Sequence, residues 1–265
     1  GITNGMMKIA GSTFETQDAL AELKSLGITD LKAVEDAARQ FSDTWAGTTK
    51  ADFITAAYDI KSGIASLTDE GVAQFTELAG LTAKATKSTT GEMTSLFATG
   101  YGIYKGYYSE LSDLEFGEMF AGGIATAVKA YKTSGSEMAS AISALGGTAT
   151  SANVPLEEQL SVLGMLQATM SGSEAATKYK ALLNAATGAG EKLGLNFLDA
   201  DKQLRSLPEI LGILKSKYGD TIDAVEKKKI KEAFGSDEAV AVIDLLYGKT
   251  GELQTGILDM YDALG

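Results

Sequence analysis

The chain has 265 residues, with 23 Lys and Arg against 35 Asp and Glu, a formal net charge of −12, and neither His nor Cys. The missing cysteines exclude disulfides, thiolate nucleophiles, zinc fingers and iron–sulfur ligation, and the missing histidines exclude a Ser-His-Asp triad, an imidazole base and the usual transition-metal site. A negative overall field repels phosphate backbones, so nucleic acid is not an expected partner, and a catalyst made from this chain would be confined to carboxylates, Lys, Tyr, Ser and Thr.

At 45% hydrophobic and 22% charged the composition is that of a globular protein with a core, in one large or two modest domains. The opening Gly1-Ile-Thr-Asn-Gly-Met-Met7 lacks the charged region and cleavage pattern of a signal peptide. A chain running from Gly1 to Gly265 reads as a piece of something longer. Leu31, Val34, Ala38, Phe41 and Trp45 then step by three and four residues, as do Phe53, Ala57, Ile60, Ile64 and Leu67, and after them Val72, Phe75 and Ala79. Each set lies along one stripe of a helix. An aromatic run follows, Phe97, Tyr101, Tyr104, Tyr107 and Tyr108, interleaved with Gly100, Gly102 and Gly106. The most apolar stretch, Met119 to Tyr131, is interrupted by Lys129 and is too short to span a bilayer. Within it Gly122, Gly123, Ala125 and Ala127 predict a tight helix pair.

Ser134-Gly-Ser-Glu137, Ser171-Gly-Ser-Glu174 and Ser206-Leu-Pro-Glu209 have the spacing of capping boxes, in which Ser takes an orphan amide proton and Glu reaches back to the cap's own amide. Ser236-Asp-Glu238 marks another helix start. Further stripes run through Leu156, Leu160 and Leu163, and through Val240, Ile243 and Tyr247. Gly27, Gly147, Gly194, Gly219, Gly235 and Gly248 follow helical patterns as C-cap glycines do. Sustained period-2 alternation is missing and only two prolines occur. The expectation is an all-α globular protein of roughly ten to twelve short-to-medium helices without a long continuous coiled coil. A small-residue stretch from Gly147 to Pro155 suggests a seam, with an N-terminal helical part at 1–150 and a C-terminal one at 151–265, or one continuous domain.

Candidate chemistry is sparse. Glu157 and Glu158 could serve glycoside hydrolysis only if placed across a cleft, one with a raised pKa; consecutive on a helix start, they read instead as solvated first-turn acids. Asp199-Ala-Asp201 opens like a calcium loop, but Leu204 and Ile210 stand where the Gly and Glu should be. Lys227-Lys-Lys229 with Lys231 reads as a solvated helix face, diluted by Glu226 and Glu232. The tyrosines could stack on sugars or bases, but a core or subunit contact is favoured. No catalytic, cofactor-binding or metal-binding residue is nominated.

The second half carries an ordered set of motifs: Ser143-Ala-Leu-Gly146, Pro155-Leu-Glu-Glu-Gln-Leu-Ser-Val-Leu-Gly-Met-Leu-Gln167 and Met170-Ser-Gly-Ser-Glu-Ala175. Lys192-Leu-Gly-Leu-Asn-Phe-Leu-Asp199, Pro208-Glu-Ile-Leu211, Lys217-Tyr-Gly219 and Glu232-Ala-Phe-Gly-Ser-Asp-Glu-Ala239 follow. Together, over roughly Glu118 to Leu246, they resemble the core region of phage tail tape-measure proteins. The stretch from Asp30 to Leu111 fits that family's earlier helices in type, and Ala200-Asp201-Lys202 departs from its pattern as a loop variant.

The resemblance implies a structural protein of a phage or prophage, not an enzyme. Several copies would lie in the lumen of the growing tail tube, set tail length and leave ahead of the DNA, with transient contact with the host envelope. Partners would be further copies of the chain, tail tube and tail-tip or baseplate proteins, and assembly chaperones in the host cytoplasm. No cofactor is implied. Two other classes compete: a cell-wall-degrading module of a tail protein, and a helical interaction protein unrelated to phage.

Overall fold

The computed structural model describes residues 14–44 and 47–265. The Gly1–Met7 start and Trp45, the last member of the first stripe, lie outside the described residues. Within them are fourteen α-helices, close to the number expected, and no strand beyond a single antiparallel bridge between Leu198 and Leu204. The fold is all-α. No described helix is long and apolar enough to cross a membrane. The chain forms two compact units, one reaching to Ala121 and the other running from Gly122 to Gly265.

The first unit contains α1 (Phe14–Ser25), α2 (Leu31–Thr44), α3 (Lys50–Gly63), α4 (Asp69–Thr86), α5 (Thr90–Tyr104), a 3-10 turn (Lys105–Tyr108) and the start of α6 (Asp113–Ala130). Threonines open three of these helices. Thr49 and Thr89 form reciprocal capping boxes with Asp52 and Glu92, and the Thr68 hydroxyl accepts from the Gly71 amide at 3.0 Å. Phe53, Ile54, Ala57 and Ile60 are buried on α3 while Asp52, Thr55, Asp59 and Ser62 stay exposed, and it packs against α1, α2, α4 and α5. Asp69, in the first turn of α4, accepts from the Thr29 and Asp30 amides at 3.0 and 2.8 Å and so fixes the α1–α2 turn onto the start of α4. These hydrogen bonds, led by that from Asp30, hold the Asp69 carboxyl below its ordinary pKa.

The aromatic run belongs to this unit's core. Phe97 meets Phe120 edge to face at 5.3 Å between ring centroids, Phe116 stacks on Phe120 at 5.8 Å, and Phe75 lies edge-on to both Phe97 and Tyr101. Tyr104 is buried, and the Tyr101 hydroxyl donates to Asp113 at 2.8 Å. Only Tyr107 points well away, 59% exposed. Glycine makes the α5–α6 approach possible: a Cβ on Gly100 would stand 2.4 Å from the Phe120 ring, which its aromatic neighbours hold in place.

The second unit contains α7 (Gly135–Leu145), α8 (Thr148–Ser151), α9 (Leu156–Leu166), α10 (Gly172–Leu193), α11 (Leu207–Tyr218), α12 (Ala224–Phe234), α13 (Asp237–Leu246), a 3-10 turn (Tyr247–Lys249) and α14 (Thr250–Leu264). The 22-residue α10 is its axis, packed against α7, α9, α12 and α13, while α14 packs on α9 and α11. The Gly147–Pro155 stretch lies inside this unit as α8 and the turn after it. Gly194 ends α10 in the left-handed region, with the Leu195 amide donating back to the Gly190 carbonyl. At the end of α7 the cap is Gly146, with φ of +57°, and not Gly147, which instead precedes α8 with φ of −87°. Gly248 likewise caps nothing and sits within the second 3-10 turn.

The same substitution at two neighbouring positions of α5 should act in opposite directions. Gly100→Ala should destabilise the protein by about 1–3 kcal/mol through overpacking against Phe120. Gly102→Ala, where an added Cβ meets nothing within 4 Å, should stabilise it by about 0.5–1 kcal/mol. Urea midpoints of the two variants against the parent chain measure both.

Candidate functional site

Two glutamates in first turns of the second unit behave differently from their sequence neighbours. Ser134 caps α7 as expected, its hydroxyl accepting from the Glu137 amide at 3.1 Å. The Glu137 carboxylate, however, does not return to its own cap. It accepts from the Gly172 amide, the first of α10, at 2.6 Å. Close approach of the two helices permits this, since a Cβ on Gly172 would fall 1.9 Å from the Glu137 carbonyl oxygen. Ser171 and Ser206 also cap their helices, but Glu174 and Glu209 accept from the serine hydroxyls and not from the cap amides. Reciprocal boxes occur instead at Thr49, Thr89, Ser112 and Asp223.

Glu158 repeats the arrangement one helix further on. Its carboxylate accepts from the Leu207 amide, the first of α11, at 3.1 Å. The side chain is buried, 4% exposed, and desolvation pushes its pKa up to about 7 against the opposing pull of that hydrogen bond. The reading of Glu158 as a solvated first-turn acid is therefore corrected; Glu157 beside it is only half buried. The cause is α9 itself, buried almost all the way round, with Gln159, Leu160, Ser161, Val162 and Leu163 all enclosed. Gln159 satisfies its amide by donating to Thr150 and to the Val154 carbonyl. The uncharged run from Gln159 to Gln167 was the available signal, because a helix with no solvent face also buries its first turn.

Glu158 has the raised pKa that a glycosidase acid needs, but it does not line a cleft: one oxygen is engaged by the Leu207 amide and the side chain is enclosed. Asp199 closes a loop, its Oδ1 accepting from the Asp201 and Gln203 amides at 2.8 and 3.0 Å. Among the described residues no three His, Cys, Asp or Glu come together as a metal site would require. On α12, Lys227 pairs with Asp244 and Lys231 with Asp237, while Lys228 and Lys229 are exposed. An added Cβ at Gly123 would stand 2.6 Å from the Leu264 side chain at the end of α14, whereas Gly122 faces open space.

Two open clefts remain in the second unit. One, of about 480 Å³, is lined by Lys192, Lys217, Lys229 and Glu232 with Leu193 and Tyr218. Lys217 also donates to the Leu193 carbonyl at the end of α10. The other, of about 450 Å³, lies between α6 and α14, with Tyr131, Thr255 and Asp259 in its wall. The sequence brought neither to notice, since each joins residues from separate helices.

A model of the phage-related minor tail protein family matches residues 35–235, a span that takes in the motifs from Ser143 to Gly219. No curated protein and no solved structure matches the chain.

Glu158 gives a signed pH dependence. Because its folded-state pKa lies above the unfolded value of 4.5, the native state binds this proton more tightly; its contribution is fully present below that value and is lost as pH rises to and past about 7. The ionised form should therefore cost on the order of 3 kcal/mol at pH 8 relative to pH 4.5. Glu158→Gln keeps an acceptor for Leu207 without the charge. Urea titrations at pH 5 and pH 8 should show the variant gaining on the parent as pH rises; a constant difference would refute the assignment. Glu137→Ala, which leaves the Gly172 amide without its acceptor, should cost about 1–2 kcal/mol in the same assay.

Proposed function

We propose that this chain, which belongs to the phage-related minor tail protein family, is a segment of a tape-measure protein. The family match supports the reading: it covers the ordered motifs from Ser143 to Gly219 on which most of the resemblance to tape-measure cores rests. In this role several copies occupy the lumen of the tail tube, template its assembly with chaperones and tail-tip or baseplate proteins, set its length and leave before the DNA. The work is mechanical and not catalytic. A net charge of −12 suits a passenger that shares a tube with DNA and must not adhere to it.

The fold adds a physical requirement to this reading. The longest helix has 22 residues, or about 33 Å, and the helices of each unit lie packed against one another. Drawn out as one helix, 265 residues would span about 400 Å. A ruler made from this segment therefore leaves the packed form inside the tube.

Electron microscopy of tails tests the role directly. An in-frame duplication of about 60 residues within this segment of the parent gene should lengthen tails by about 90 Å if the added stretch is helical and extended. Complete tails of unchanged length would remove this segment from the ruler and move an envelope-crossing role ahead of it.

A further inference from the structure

Helix α11 is held by different means at its two ends. Within its first turn Pro208 has no amide proton, Glu209 donates to the Ser206 hydroxyl and Ile210 to the Ser206 carbonyl. The Leu207 amide alone turns outside the helix, to the Glu158 carboxylate on α9. At the far end Lys217 donates to the Leu193 carbonyl, and the Tyr247 hydroxyl donates to the Gly219 carbonyl. Between the ends Ile210, Leu211 and Leu214 are buried, and α14 is the helix on which α11 chiefly packs. Residues 195–206, which lead into it, form no helix and pair only through the Leu198–Leu204 bridge.

The charges that act on Glu158 are Glu157 beside it and Glu209 on α11, both carboxylates. Arg205, close by in sequence, pairs with Glu209 at 3.4 Å, and Lys215 of α11 lies over the Tyr247 ring. Three helices pack on α9. On α7 Glu137 is engaged at Gly172, and on α14 Glu252, Asp259 and Asp262 are exposed. On α10 Lys178 pairs with Glu174 and Lys180 donates to the Ala144 carbonyl, while Glu191 and Lys192 are exposed. Among the described residues no cation therefore offsets a charge on Glu158, and its one hydrogen bond does not make up for lost hydration.

We propose that Glu158 is a proton-operated latch on α11. Protonated, it holds the N-terminal end of the helix on α9; ionised, it lets that end come away while α10 and its partners stay packed. The buried side chains of Leu207 and Ile210 are released with it, so the packed form opens first at this place. In the open form the carboxyl is hydrated and titrates in the ordinary range. Raising the pH towards and past about 7 therefore favours opening, and lowering it favours closure. Such a latch works whether or not the chain is a ruler; in a ruler it marks where unpacking starts.

Amide hydrogen exchange of the 265-residue chain at pH 5.5 and pH 8, corrected for the intrinsic effect of pH, tests this. Protection over residues 207–212 should fall roughly tenfold or more between the two pH values. At pH 8 it should also lie at least about tenfold below the protection of α10. In Glu158→Gln the fall with pH should disappear. Equal protection of α10 and α11 at pH 8 would mean that the unit opens only as a whole, and overturns the latch. So does a fall with pH that survives Glu158→Gln. Should that variant not fold, carbon-13 titration of the glutamate carboxyls in the parent chain decides. Glu158 should titrate well above the exposed glutamates and carry the Leu207 amide resonance with it; titration among them overturns the latch as well.

Discussion

The first amides of a helix have no partners within that helix, and in the second unit of this protein two of them are met by carboxylates from elsewhere. Glu137 reaches from α7 to the start of α10, and Glu158 from α9 to the start of α11. Each interaction joins an acceptor to the positive end of a helix dipole, and each ties together helices that are not neighbours in sequence. The packing of the unit follows from these two ties. Gly172 is confined to a side-chain-free residue by the first, and α9 is enclosed around the second. In the first unit Asp69 plays a related part by holding the α1–α2 turn against the start of α4.

Charge is distributed with the same economy. The acids of an overall negative chain serve mostly as helix starts, as Asp52, Glu92, Asp223 and Glu226 do, and leave the lysines to collect on α12 and around its cleft. The result is a protein with local basic surface despite its net sign. The overall negative sign disfavours adhesion to nucleic acid.

Much of the fold was legible because helix periodicity is local. The stripes through Phe53, Ile60 and Val72 and the serines at 134, 171, 206 and 236 found their helices. The partner of Glu137 was not legible. Sequence spacing offers a glutamate its own cap amide, and nothing local reveals that another helix start comes nearer in space. Glu157 and Glu158 look alike as letters and differ because the helix that carries them is enclosed at Glu158, where the Leu207 amide meets the carboxylate. Gly146 and Gly147 stand side by side, and local pattern does not decide which adopts positive φ. The tyrosine run was readable as one face of a helix, but its completion by Phe75, Phe116 and Phe120 depends on α4 and α6 folding onto it.

Glu158 also ties the stability of the second unit to the acidity of its surroundings. A carboxyl enclosed in the fold, its pKa pushed up to about 7 by desolvation, holds its proton more tightly there than in the unfolded chain. Mild acid thus tightens the fold and mild alkali loosens it, without any ligand.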